Sequence, residues 1–262
     1  MALTPDTLAR IALDAGQEIM RIYRTEFSVD TKDDKSPLTE ADGRAEALIL
    51  ARLAEADPDL KVIAEESVAG GIVPEHGARF ALVDPLDGTK EFIARNGEFT
   101  VNIAIIEHGR AVMGVVYAPA LDRLFVAESP ASAWQAKAVP GGPVPTERQP
   151  LCIRRAPAAG LSAVASKSHR SPETDAWLAN YHVHEIVAAG SSLKFCLVAA
   201  GEADVYPRLG RTMEWDTAAG QAVVEAAGGR VLQLDGAPLL YGKRARGYDN
   251  PDFVVYGDVS PA

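Results

Sequence analysis

The hexapeptide Asp84-Pro85-Leu86-Asp87-Gly88-Thr89 places two carboxylates three residues apart. It follows an apolar run, Phe80-Ala81-Leu82-Val83, that reads as a buried strand ending at Asp84. Pro85 fixes its own φ and biases Asp84 toward an extended backbone, so the turn is stiff before anything binds. Gly88 lets the chain approach a ligand closely, and the N–H groups of Gly88 and Thr89 can face an anion. The segment has no His or Cys. Its donors are hard oxygens, which suit Mg²⁺ and not Zn²⁺. Alone, the hexapeptide also reads as an ordinary Pro-containing turn with an Asp-Gly corner, so its meaning depends on what converges on it.

Three further acidic stretches are placed to converge. Glu65, in Ala64-Glu65-Glu66-Ser67, ends the short strand Lys61–Ala64, which can lie beside the Phe80 strand and bring Glu65 to Asp84. Taken alone, adjacent glutamates read as solvated surface acids. Glu214-Trp215-Asp216-Thr217-Ala218-Ala219-Gly220 opens a helix, and Asp216 alone reads as its N-cap. The small residues behind it let the helix end approach another backbone and aim its positive end at an anion. In Asp34-x-Ser36-Pro37-x-Thr39-x-Ala41-Asp42 a loop runs into a helix. Asp42 lies in its first turn, where a carboxylate also stabilises the helix dipole.

The elements that must hold these acids follow from periodicity. Helical spacing marks Asp6–Tyr23 and Thr39–Ala56, while strand-like runs cover Phe99–Ile106, Ala111–Tyr117 and Leu124–Ala127. The stretch from Ala138 to Pro150, rich in Pro and Gly, reads as a surface loop. It divides an N-terminal α+β half, residues 1–150, from a C-terminal α/β half, residues 151–262, in which strands and helices alternate. The chain has 262 residues, 47% apolar and 24% charged, as in ordinary globular proteins. A formal net charge of −10 argues against a nucleic-acid polymer or an anionic membrane as partner. Cys152 and Cys196 are too few for a disulfide framework. The start lacks a basic end and apolar block, and no apolar run approaches bilayer-spanning length. A cytoplasmic protein is expected, with at most peripheral association with the inner membrane.

Ala64-Glu65-Glu66-Ser67, Asp84-Pro85-Leu86-Asp87-Gly88-Thr89 and Trp215-Asp216-Thr217-Ala218-Ala219-Gly220 occur in order over nearly the whole chain. In this the sequence resembles the Mg²⁺-dependent, lithium-sensitive phosphatases of the inositol monophosphatase superfamily. The resemblance implies a layered α-β-α-β-α fold, two or three Mg²⁺ ions, inhibition by Li⁺ and hydrolysis of a phosphate monoester. It further implies that Glu65, Asp84 and the Leu86 carbonyl hold one Mg²⁺, and that Asp84, Asp87 and Asp216 hold a second. Asp42 and Thr89 then orient and activate the attacking water. Ala64 departs from the Gly or Ser common there, with no catalytic consequence.

Gly190-Ser191-Ser192-Leu193-Lys194-Phe195-Cys196 and Tyr206-Pro207-Arg208-Leu209-Gly210 bear on the substrate. Ser191 and Lys194 lie three apart at a helix start and can grip one anion, although Lys194 also reads as a snorkelling surface lysine. Arg208 can bind a second phosphate bidentately or form a surface ion pair. Ser166 and His169, in Ser166-Lys167-Ser168-His169, can reach a nucleotide or form a solvated turn. These stretches resemble the bacterial CysQ-type 3′(2′),5′-bisphosphate nucleotidases, which implies release of the 3′-phosphate of adenosine 3′,5′-bisphosphate, a by-product of sulfate assimilation. The substrate contacts so implied are Glu65, Leu86, Asp87, Gly88, Thr89, Ser166, His169, Gly190, Ser191, Lys194, Arg208 and Asp216. The expected partner is this small nucleotide, and the chain a monomer or homodimer. The alternatives are a phosphatase of inositol monophosphate or fructose 1,6-bisphosphate on the same scaffold, or a non-catalytic regulator that binds metal or sugar phosphate.

Overall fold

The computed structural model describes residues 3–31, 37–166 and 171–261. Helix α1 (Pro5–Tyr23) starts where Thr4 accepts from the Thr7 N–H and Pro5 occupies the first turn. The two-residue strands β1 (Asp30–Thr31) and β2 (Pro37–Leu38) pair antiparallel and lead into α2 (Glu40–Ala56), capped by Thr39. Next come β3 (Lys61–Ala64), α3 (Glu65–Ala69), β4 (Arg79–Asp87) and α4 (Thr89–Ile93). An antiparallel run follows: β5 (Thr100–Glu107), β6 (Arg110–Ala118), β7 (Arg123–Ser129), β8 (Ser132–Lys137) and the short β9 (Gln149–Pro150). The C-terminal part comprises β10 (Leu161–Ser166), α5 (Pro172–Leu178), β11 (Val183–Ala189), α6 (Leu193–Ala199), β12 (Val205–Arg208), α7 (Glu214–Ala226), β13 (Arg230–Gln233) and β14 (Phe253–Tyr256).

The strands form a seven-stranded sheet ordered β3-β4-β5-β6-β7-β8-β9 and a five-stranded sheet ordered β11-β10-β12-β14-β13. α1 and α2 pack together and cover one face of the larger sheet. Its other face carries α7, which packs on β4, β5, β6 and β7 and against α6. α6 in turn contacts β10 and β12, and α5 contacts β12. The layers are therefore α-β-α-β-α. Close approach at the centre requires small residues. A Cβ on Gly114 in β6 would come within 2.9 Å of the Ala219 carbonyl, and one on Gly220 in α7 within 2.5 Å of the Phe195 ring. The middle layer shares one apolar core with both sheets, joining Ile63, Phe80 and Leu82 to Val198, Trp215 and Phe253.

Two helices next to the site differ from the sequence expectation. α3 and α4 are five-residue turns of helix where the residues read as strand end and loop. Both are too short to show helical periodicity. β8, with Ala133 and Trp134 buried, was also missed, because Ala and Gln are weak strand formers.

Candidate active site

β3 runs parallel to β4 with Ala64 opposite Val83, so Glu65 and Asp84 leave neighbouring strands at the same level. The β4–β5 pairing slips between Asp84 and Asp87, and Pro85 and Leu86 bulge out there. That bulge brings both aspartates to one place. Asp84 is buried and accepts from the Leu86 N–H at 3.0 Å. Asp216 occupies the first turn of α7, where one oxygen accepts from the Met213 N–H at 2.8 Å. It caps the helix through its N3 position, not as the N-cap residue, which is Met213.

The four acids sense one another. Burial holds the Asp84 carboxyl well above the usual carboxylate range, and the charges of Glu65, Asp87 and Asp216 add to it, as does a hydrogen bond with Glu65. Asp216 is raised by burial, then by Asp87 and Glu65, while Arg208 opposes. Buried carboxylates that raise one another's pKa, supplied only with oxygen donors, fit a small hard divalent cation. Among the described residues no three or more His, Cys, Asp or Glu side chains are gathered closely enough to hold a metal ion as they stand.

Asp42 lies beside the turn on α2. Its Oδ2 accepts from the Thr39 N–H and hydroxyl at 2.8 and 2.7 Å, and its Oδ1 accepts from the Thr89 hydroxyl at 3.3 Å. Gly88, at φ +90°, starts the turn into α4, and a Cβ there would lie 2.0 Å from the Ser191 hydroxyl oxygen.

On the C-terminal side, Lys194 is buried with its Nζ 5.7 Å from the Tyr206 ring centre. Its pKa is pushed down to about 8 by desolvation; Arg208 adds to the shift, while Asp87, Glu91 and Glu98 oppose it. Arg208 gives one N–H to the Arg211 carbonyl at 2.9 Å, and its buried Nε has no hydrogen-bond partner. Ser191 and Gly190 have partners within the chain. The Ser191 hydroxyl donates to the Asp87 and Glu98 carbonyls at 2.8 and 2.7 Å, and the Gly190 N–H donates to Glu98 at 2.8 Å. These donors join the two loops. Ser166 ends β10, its side chain outside the described set, and His169 lies outside the described residues.

Sequence reasoning missed four supporting residues. Asn102 and Ser192 hold Asp87 at 3.3 and 3.0 Å. Glu46 accepts from the Glu66 and Ser67 N–H groups, both at 2.8 Å, and so fixes the helical turn that Glu65 begins. Glu214, fully buried, accepts from the Gly242 and Lys243 N–H groups. Two signals were available: Glu46 stands one turn after Asp42 on the same helix face, and Asn102 interrupts an apolar strand. A surface cavity of about 520 Å³ lined by Arg123, Lys137 and Arg148 lies elsewhere. Its arginines are already paired, Arg123 with Glu202 and Arg148 with Asp6 and Glu128.

The sequence profile of the inositol monophosphatase family matches residues 5–252. The chain belongs to the inositol monophosphatase family. Within the family, the 3′(2′),5′-bisphosphate nucleotidase CysQ of Escherichia coli strain K12 is 43% identical over 252 residues, 95% of this chain and 98% of that protein. The protein of that name from Buchnera aphidicola is 39% identical, covering 92% of this chain and 88% of its own. The crystal structure of CysQ from Bacteroides thetaiotaomicron superposes with a TM-score of 0.81 at 38% identity, covering 98% and 97% of the two chains. An IMPase of Thermotoga maritima gives a TM-score of 0.73 at 25% identity, covering 95% and 90%. Among the described residues no helix is long and apolar enough to cross a membrane.

Proposed function

We propose that the chain is a divalent-metal-dependent 3′(2′),5′-bisphosphate nucleotidase that hydrolyses adenosine 3′,5′-bisphosphate to AMP and phosphate. The observation that carries this reading is the pair of cations, buried Lys194 and half-buried Arg208, whose charges act on each other and on the acids Asp87 and Asp216. An arginine with a buried, unpartnered Nε next to a desolvated lysine is suited to an anion that a monophosphate lacks. The similarity to nucleotidases over nearly the full chain supports the same substrate.

Glu65, Asp84, the Leu86 carbonyl, Asp87 and Asp216 would hold Mg²⁺, as two or three ions, with Li⁺ as an inhibitor. Bound Mg²⁺ supplies water activation and neutralises charge on the phosphoryl and leaving oxygens. The chain's own residues do the rest. The Thr89 hydroxyl donates a hydrogen bond to Asp42, which leaves the Thr89 oxygen free to accept a hydrogen bond from the attacking water. Asp42, held from the other side by Thr39, is the base: as the water gives a proton to the Thr89 oxygen, Thr89 passes its own proton to Asp42. Lys194 and Arg208 hold the 5′-phosphate and keep the 3′-ester over the acids.

The test compares wild type with Arg208→Ala on adenosine 3′,5′-bisphosphate and adenosine 3′-monophosphate. Losing a charge-assisted hydrogen bond costs roughly 1.5–3 kcal/mol, so kcat/KM for the bisphosphate falls about 10- to 150-fold. Hydrolysis of the monophosphate barely changes. Equal losses on both would overturn the assignment of Arg208 to the second phosphate. Faster wild-type turnover of inositol 1-phosphate or fructose 1,6-bisphosphate would overturn the nucleotidase reading.

A further inference from the structure

The Asp87 carboxylate is held by side chains from both halves of the chain. Asn102, on β5 and almost fully buried, gives its amide N–H to the Ser192 hydroxyl oxygen at 2.9 Å and to Asp87 Oδ2 at 3.3 Å. Ser192, just before α6 and equally buried, shares its single hydroxyl proton between the Asp216 carbonyl at 2.7 Å and Asp87 Oδ2 at 3.0 Å. Asn102 lies on the larger sheet and Asp216 at the start of α7. One hydroxyl therefore fastens Asp87 to the backbone of the residue that brings the fourth carboxylate. Both contacts land on Oδ2, which leaves the other oxygen, Oδ1, for a further partner.

We infer that Ser192 and Asn102 are positioning residues for divalent-metal binding: they hold one oxygen of Asp87 and lock it in register with Asp216. The inference rests on the proposed role of Asp87 and Asp216 as ligands. The physical reason is that a carboxylate among other carboxylates swings away from its neighbours unless something holds it. A hydrogen-bonded hydroxyl fixes its direction and leaves its charge in place. Groups in this relation to a ligand change metal affinity about 10- to 100-fold when removed.

The orphaned Asn102 Oδ1 makes the inference separable from a plain folding role. That oxygen is buried without a partner. Asn102→Leu keeps the volume and removes an uncompensated acceptor, so the metal-free fold loses little. The experiment measures Mg²⁺ dissociation constants by calorimetry, and melting temperatures in EDTA, for wild type, Ser192→Ala, Asn102→Leu and Asp87→Asn. The expected result is a Mg²⁺ Kd raised about 10- to 100-fold in Ser192→Ala and Asn102→Leu, with EDTA melting temperatures near wild type. A lowered EDTA melting temperature with an unmoved Kd would make both residues structural and overturn the inference. Kd values unchanged in these two variants while Asp87→Asn loses Mg²⁺ binding would overturn the inference and leave the ligand assignment standing. Undiminished Mg²⁺ binding in Asp87→Asn would instead overturn the ligand assignment itself. If Ser192→Ala does not fold, Asn102→Leu carries the comparison.

Discussion

Asp84, Asp216 and Asp42 each accept a backbone N–H from a residue two or three positions away, so local geometry aims each acid. Holding them together without a counter-ion costs stability, as the raised carboxyls of Asp84 and Asp216 show. Asp87→Asn removes a proposed ligand and should lower turnover by more than the roughly 10- to 100-fold that loss of a group behind a ligand costs, while the melting temperature in EDTA holds or rises. Near-wild-type turnover at saturating Mg²⁺ would count against it. Lys194 gives a prediction in pH. Its pKa, about 8, lies below the ordinary lysine value, so the cation is present below that pH and lost above it. The profile of kcat/KM reports the free enzyme. For the bisphosphate it should fall as pH rises through about 8, or somewhat lower when bound cations add their repulsion. Lys194→Met should abolish that limb, and a limb that persists in this variant would assign it to another group.

At the scale of elements, α7 is the piece whose fit decides whether Asp216 reaches the cluster. Gly220 lies against the Phe195 ring, so Gly220→Ala, which favours helix formation intrinsically, should still destabilise by about 1–3 kcal/mol through overpacking. Denaturant melts of the variant check this, and an unchanged midpoint would mean α6 and α7 can part without cost. The small residues behind Asp216 made this approach legible in the sequence, and the apolar run before Asp84 made β4 legible. The bulge at Pro85 and Leu86 was not, because register depends on the partner strand β5. The contacts of the Ser191 hydroxyl were hidden for a related reason. Spacing places it one turn from Lys194, but its positive φ of 48° turns it toward the carbonyls of Asp87 and Glu98. Ser192 stayed invisible because its partner Asp87 lies about 100 positions away, which no local pattern records; for Glu46, whose partner Ser67 lies about 20 away, the helix face shared with Asp42 was the one local sign.

For the whole molecule, the two sheets share one core, and the candidate site draws Glu65, Asp84 and Asp87 from one side and Asp216 from the other. Sequence reading placed a boundary near residue 150, but a boundary in the chain is not a boundary in cooperativity. α7 contacts β13 of the smaller sheet as well as β4–β7 of the larger one, so neither sheet keeps its apolar face covered if the other leaves. Unfolding should then be a single transition. Trp134 reports on β8, while Trp215 and Trp177 report on α7 and α5, so fluorescence and far-ultraviolet dichroism sample both halves. Their melting curves in EDTA should coincide. One Mg²⁺ site at about 100 times its Kd stabilises the folded state by about 2.7 kcal/mol, and each further site adds to it. That should raise both curves together by at least about 5–10 °C, at roughly 2–4 °C per kcal/mol for a chain of this size. Were dichroism to show an early step with Trp215 still buried, residues 1–150 and 151–262 would be separate folding units. Mg²⁺ would then merge two transitions into one, because its ligands come from both.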